Sequence, residues 1–374
     1  MKRYRIISYI LAFATIFQSC DMKEMPYTID KDMAKTPEGA SQVVAAMYNT
    51  FWSSYLMKKT YMEVIDMDHD HAAAPSWVVS GAGEGNITTH WSYNQSSDPF
   101  RAFYTLINRA NFALESISVS PISTELKNQY LGEAYFLRAF AYFHLVRMYG
   151  PVPLRINSED LGDRERSSVK DVYQLITDDL EEAGNLLQWQ NVGSWGHANK
   201  TAAKILLARV YATMGSASLA GNAGIYVDIK GVNTHFDTDA VAGFDQIDSE
   251  ECYQKVKDIC DEVIARKGID FDLMPAFNKI WGADNVRNRE FVWGIVGNSQ
   301  SDFTTEHLNY YYTAPTYYGR GWAGISEGAY HLYQGDDERG EQGIFHYVKQ
   351  AYNTTSAYVR IPNDPVKYPT GPDG

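Results

Sequence analysis

Cysteine is scarce, with three residues in 374, at positions 20, 252 and 260. Cys252 and Cys260 fall eight apart on one expected helix, about 12 Å along its axis, which is beyond disulfide reach. Neither a disulfide framework nor a cysteine-based zinc site can be built from that set. Basic residues are outnumbered, 33 Lys and Arg against 46 Asp and Glu, for a net charge of −13. Nucleic acid demands clustered cations, so it is excluded as a partner. A membrane-spanning run is missing as well. The apolar stretch at 6–17 follows a basic start and is too short for a bilayer, which makes residues 1–19 a signal peptide.

Cys20 stands directly behind that stretch, after Gln18 and Ser19, where a lipoprotein signal places its acylated cysteine. Stable anchoring needs more than one acyl chain. Residues 20–35 follow as a polar tether, and 36–374 are expected to form one domain. With 45% hydrophobic residues it can bury a large core.

That domain is organised around residues 131–154, LGEAYFLRAFAYFHLVRMYGPVPL. Tyr130, Ala134, Leu137, Ala141, Leu145 and Met148 recur at three- and four-residue steps, with Leu131, Tyr135, Tyr142 and Tyr149 as a second stripe. A helix with two apolar stripes is covered on both. Ser123 suits the N-cap and Arg147 the negative end of the dipole. Gly150, Pro151 and Pro153 stop the helix and send the chain on as an extended arm.

Other helices read as its stacking partners. Thr36 caps a first helix with Pro37 at its first position and Ala40, Val44, Met47, Phe51 and Tyr55 on one face. Its partner is expected to begin after Asp98 and Pro99, with Phe103, Ile107, Ala110, Leu114 and Ile117 inward. After Ser168 come Val172, Ile176, Leu180, Ala183 and Leu187, with Asp171, Asp178, Asp179, Glu181 and Glu182 as a solvated face. A third pair spans 202–215 and 252–268. Ala134, Leu137, Ala139 and Tyr142 reappear as Ala203, Leu206, Ala208 and Tyr211, offset by 69 residues, about twice the ~34-residue tetratricopeptide period. Tyr173 and Gln174 likewise recur as Tyr253 and Gln254. The fold class is therefore mainly α, with tetratricopeptide-like helix pairs over about 36–268. A loop-rich, minor-β region over about 269–374 packs on them, with 291–296 as its best strand. Two long connections interrupt the stack, 58–97 and the Gly-, Asn- and Asp-rich 216–249. Long ordered connections often carry binding residues.

Catalytic motifs are weak. Asp66, Asp68, His69, Asp70 and His71 begin like a calcium loop, but His71 replaces the turn glycine and Trp77 the bidentate glutamate, so no metal site is assigned. Residues 324–328 fit a nucleophile-elbow pattern without its strand, and Ser326 reads instead as the cap of a short helix through Tyr333. Gly81, Gly83 and Gly85 lack the strand–helix setting of a dinucleotide loop. No catalytic residue and no cofactor is assigned. Aromatics on loops are the positive signal: of 27 tyrosines, seven fall within residues 310–333. Flat rings for the apolar face of a sugar, beside amides and carboxylates for its hydroxyls, make a carbohydrate site. Two loops offer that mixture. One holds Trp77, His90, Trp91, Tyr93 and Asn94. The other holds Tyr311, Tyr317, Tyr318, Arg320 and Trp322.

The helix EAYFLRAFAYFHLVRMYG running into PVPL resembles the signature of the SusD/RagB family of nutrient-binding outer-membrane lipoproteins. The lipoprotein signal, the REFVWGIVGN of 289–298 and the GDDERG from Gly335 add to the resemblance. It implies a non-enzymatic, lipid-anchored protein of the cell surface that captures a glycan for a TonB-dependent, SusC-like outer-membrane transporter. The resemblance also implies a further helix pair that closes the stack, and none is visible after 268, as in a shortened relative or a piece of a longer chain. Peptide capture, a surface glycoside hydrolase and a pure assembly scaffold are the alternatives. Binding of a peptide, release of sugar, or binding of neither ligand class would tell them apart.

Overall fold

This computed structural model describes residues 31–53, 55–56, 61, 65, 72–73, 93–190, 196–219, 225–229, 232–236, 241–280, 285, 287–295, 324–325, 332–333, 337, 339, 347–349 and 358–360. Among them, six α-helices carry the fold: α1 (Pro37–Asn49), α2 (Tyr93–Ser118), α3 (Thr124–Tyr149), α4 (Val169–Leu186), α5 (Lys200–Ser218) and α6 (Ser249–Ile264). Each packs chiefly on its neighbours in sequence, α2 on α3, α3 on α4, α4 on α5 and α5 on α6. That is the behaviour of a stack of helix pairs.

The caps follow the sequence signals. Thr36 accepts from the Gly39 amide, Ser123 from Leu126, Ser168 from Asp171 and Asn199 from Ala202. Each satisfies a donor that the first helical turn would leave orphaned. Gly150 ends α3 at φ 67°, a backbone conformation that disfavours a side chain. Leu137, Tyr142 and Leu145 of α3 are wholly buried, as are Val172, Ile176 and Leu180 of α4. The two helices can approach closely because α3 carries Gly132 at their contact. A Cβ there would lie 2.7 Å from Leu187 Cγ.

Four expectations are corrected. First, α2 starts at Tyr93, and Pro99 lies inside it. Pro99 is itself buried, and the packing of the Phe100, Phe103 and Tyr104 face outweighs the one backbone bond that a proline omits. Second, Asp179 leaves the solvated face of α4. It is 3% exposed and takes a two-pronged contact from Arg138, at 2.8 Å from Nε and 2.7 Å from Nη2, while Arg138 Nη1 donates to Asn111 on α2. Third, residues 291–295 form no strand. Val292, Trp293 and Ile295 pack on the helix core instead of joining a partner strand. Fourth, the 216–249 connection contains an antiparallel hairpin, β2 (Ile225–Ile229) with β3 (Val232–Phe236), in register from Ile225 opposite Phe236 to Ile229 opposite Val232. The expected short helix through Tyr333 has its start outside the described residues, and Leu332 and Tyr333 sit in a turn and a bend.

The segment before α1 also packs. Lys31–Lys35 forms a 3-10 turn with Ala34 buried, and Lys31 Nζ lies 2.9 Å from Glu115 of α2. Among the described residues no helix is long and apolar enough to cross a membrane.

Candidate functional site

Phe136, Phe140 and His144 follow one another at four-residue steps on α3 and so share one face. Tyr61, from the 58–97 connection, sits on that face with 2% exposure. Its hydroxyl is hydrogen-bonded to His144 Nδ1, and its ring meets His144 and Phe103 edge-on at 5.4 and 5.2 Å. His144 lies parallel to Phe103 at 5.6 Å and close to Phe140 at 4.4 Å. Burial pushes the imidazole down to about 3, so it is neutral in the fold.

The same stripe receives a second visitor from far along the chain. Trp293 stands 5.0 Å from Phe136, 5.6 Å from Phe140 and 6.3 Å from Phe51 of the turn after α1. One residue earlier, the Val292 carbonyl accepts from Asn199 Nδ2, the residue that caps α5. Both loop regions are therefore seated on one floor of α3. They also pair with each other, since β1 (Ala72–Ala73) runs antiparallel to β4 (Gly324–Ile325), Ala72 opposite Ile325 and Ala73 opposite Gly324.

Beneath the Trp293 seat lies a closed polar cluster. Glu133 of α3 is fully buried and accepts from Tyr48 Oη at 2.6 Å and Gln129 Nε2 at 2.9 Å. His197 Nδ1 lies 2.7 Å from Glu133 Oε2, the oxygen that also accepts from Tyr48. That hydrogen bond, opposed by partial burial, raises the His197 imidazole above its ordinary value. Tyr48 also accepts from the Ala198 amide at 2.8 Å. Three elements, α1, α3 and the lead-in to α5, thus meet on one carboxylate. Burial of this carboxyl group is tolerated because each oxygen is hydrogen-bonded.

The aromatic residues expected to touch a ligand stand around this floor in sequence. Trp77 follows Ala73 by four residues and Trp322 precedes Gly324 by two. Those two, with Trp91, Tyr311, Tyr317, Tyr318 and Cys20, the residue expected to be acylated, lie outside the described residues, as do Asp66, Asp68, His69, Asp70, His71 and Ser326. Tyr93 and Asn94 open α2. Among the described residues no group of three or more His, Cys, Asp or Glu gathers as for a metal ion.

Tyr61, Trp293 and His144 were not read as part of the site. Their signal was present in part, because the spacing of Phe136, Phe140 and His144 announces a third covered face on α3. What covers it is set by tertiary contacts that no spacing records.

The family model for SusD-like proteins, described as starch-binding and associating with the outer membrane, matches residues 23–212. The chain belongs to the SusD-like family. A SusD-like protein of Formosa agariphila is 34% identical over 197 residues, which cover 49% of this chain and 38% of that protein. Matches to the curated relatives span less than half of each relative's own length. Among solved structures, a SusD superfamily protein from Parabacteroides distasonis superposes with TM-score 0.63 at 19% identity, over 86% of this chain and 67% of that one. Another, described as with xylogluco-oligosaccharide, gives TM-score 0.57 at 21% identity, over 79% and 55%. These likenesses establish the mainly α, helix-pair fold. SusD-like proteins are carbohydrate-binding proteins, and the family is associated with the outer membrane.

Proposed function

We propose that this chain is a cell-surface lipoprotein that captures an oligo- or polysaccharide and presents it for import through a TonB-dependent, SusC-like outer-membrane transporter, without cleaving it. Acylation at Cys20 holds it to the outer membrane, and residues 36–374 act as one SusD-like domain. The observation that carries the reading is the common seat of the two aromatic-bearing loop regions. Tyr61 and Trp293 anchor them on one stripe of α3, and the β1–β4 pairing joins them close to Trp77 and Trp322 in sequence. A sugar face requires flat rings on a supported surface, and rigid support lowers the ordering cost of binding. A relative in fold carries a xylogluco-oligosaccharide by its description, which supports the ligand class.

The test is an oligosaccharide array probed with the chain starting after Cys20, followed by calorimetry on the strongest ligand. Trp91→Ala and Trp322→Ala are each expected to weaken binding by about 1–3 kcal/mol with folding intact, as truncated aromatic anchors do. Unchanged affinity in the double variant removes the site from these loops. Release of reducing sugar from a polysaccharide overturns the non-enzymatic reading in favour of a hydrolase.

A further inference from the structure

A hollow of about 460 Å³ lies between α2 and the arm at 151–161, within the roughly 300–1,000 Å³ span of small-molecule sites. One wall is the ring pair Phe100 and Tyr104, with centroids 4.7 Å apart, and the other is made by Pro153 and Leu161. The arm has no regular structure, yet it is held at almost every step. Tyr142 Oη donates to the Arg155 carbonyl at 3.0 Å and accepts from the Arg155 amide at 2.7 Å. Asn111 donates to the same carbonyl, Tyr104 to that of Pro153 and Asn108 to that of Ser158. Arg155 in turn bonds the carbonyls of Asp160 and Gly162. The cleft is therefore preformed and not closed by the fold.

Its rim is apolar and wet. Leu161 is 75% exposed, and the neighbouring Ile156 58%, although the arm beneath them is fixed. Apolar side chains held to water at the mouth of an aromatic-walled hollow mark a binding surface. Asn108 spends its Nδ2 on the Ser158 carbonyl and Asn157 its Oδ1 on the Glu159 amide, which among the described residues leaves Asn108 Oδ1 and Asn157 Nδ2 for a ligand. One acceptor and one donor flank the rings. Both cations on the lining are engaged, Arg155 with Asp160 at 3.6 Å and Arg101 in a contact of its own, so neither calls for an anion.

We propose that this cleft binds a neutral pyranose unit, with the sugar's C–H face against Phe100, Tyr104 and Leu161 and its hydroxyls on Asn108 Oδ1 and Asn157 Nδ2. A peptide is the poorer fit. Peptides add to free backbone edges, and here the carbonyls of Pro153, Leu154, Arg155 and Ser158 already accept bonds within the chain. The proposal rests on the glycan-capture reading and adds a second point of contact, remote in sequence from Trp322.

Thr105 lines the cleft, is exposed, and bonds only the carbonyl of Arg101 one turn back. Thr105→Trp therefore fills the hollow without touching the core, and Leu161→Ala trims its rim. Calorimetry is run with the array oligosaccharide that binds the parent most strongly, on the parent, on these two variants and on the Trp91→Ala/Trp322→Ala loop variant. Thr105→Trp is expected to lower affinity by about tenfold, or to remove one binding event per chain, with Leu161→Ala in the same direction and melting temperatures unchanged. Parent-like titrations in both variants overturn the cleft while leaving glycan capture standing. A loop variant that loses binding while Thr105→Trp behaves as parent assigns the ligand to the loops alone. A parent that binds no array sugar overturns both readings.

Discussion

Single residues decide how this fold responds to acid and base. His144 is neutral and buried, with its folded value near 3, well under the ~6.5 of a free histidine. Between those values the unfolded chain takes up a proton that the fold refuses, so stability rises with pH across that window. By pH 5 the penalty is about 2 kcal/mol, from ~1.36 kcal/mol per unit. His197 acts in the opposite sense. Its folded value is raised by Glu133, so its contribution is complete below about pH 6.5 and fades as pH climbs through the raised value. A stability optimum near neutrality is expected. In denaturant titrations across pH, His144→Phe should flatten the acid limb and His197→Gln the alkaline one. An unchanged acid limb in His144→Phe would show that other groups set it. The Arg138–Asp179 pair gives a second test. Asp179→Asn should cost about 3–5 kcal/mol by stranding a buried guanidinium, whereas Arg138→Met with Asp179→Leu should recover most of that. A double-mutant cycle with no coupling would refute the pair.

At the level of elements, the contact between α3 and α4 depends on a missing side chain. Gly132→Val should destabilise by about 1–3 kcal/mol through overpacking against Leu187, read as a fall in denaturant midpoint. A neutral result would mean that the helices can separate at no cost. Helices were the legible part of the sequence. Thr36, Ser123 and Ser168 each cap where their position before an apolar periodicity places them, and the internal repeat is real in atoms. Gln174 bonds Asp178 at 2.7 Å and Gln254 bonds Asp258 at 2.8 Å, the same i,i+4 contact in α4 and α6. Periodicity could not show that Asp179 turns inward, because one charged residue among five looks like its neighbours until Arg138 is placed opposite. Nor could it show that the apolar run at 291–295 would cover a helix rather than join a sheet. Both outcomes are decided by partners at least 41 residues away.

Across the whole molecule, the loops report on their seats. Trp293→Ala should loosen the later region from the stack at a cost near the low end of the ~3–5 kcal/mol for such truncations. Limited proteolysis should then cut between 268 and 324 sooner than in the parent, and an unaltered digestion pattern would show that other contacts hold the region. Candidate ligand residues were legible only as a composition of loops, since exposure of a ring is a property of what surrounds it. The two seats also bear on the order in which the chain assembles. The second and third helices meet across residues 119–123, whereas Tyr61 reaches His144 across 83 residues and Trp293 reaches Phe140 across 153, the difference of their numbers. Distant closures come late. The helices can therefore form first, with Phe136 and Phe140 lacking the cover of Trp293 until that residue joins them. For that interval the nascent protein carries an aromatic strip open to water, and it is there that a chaperone would find its grip.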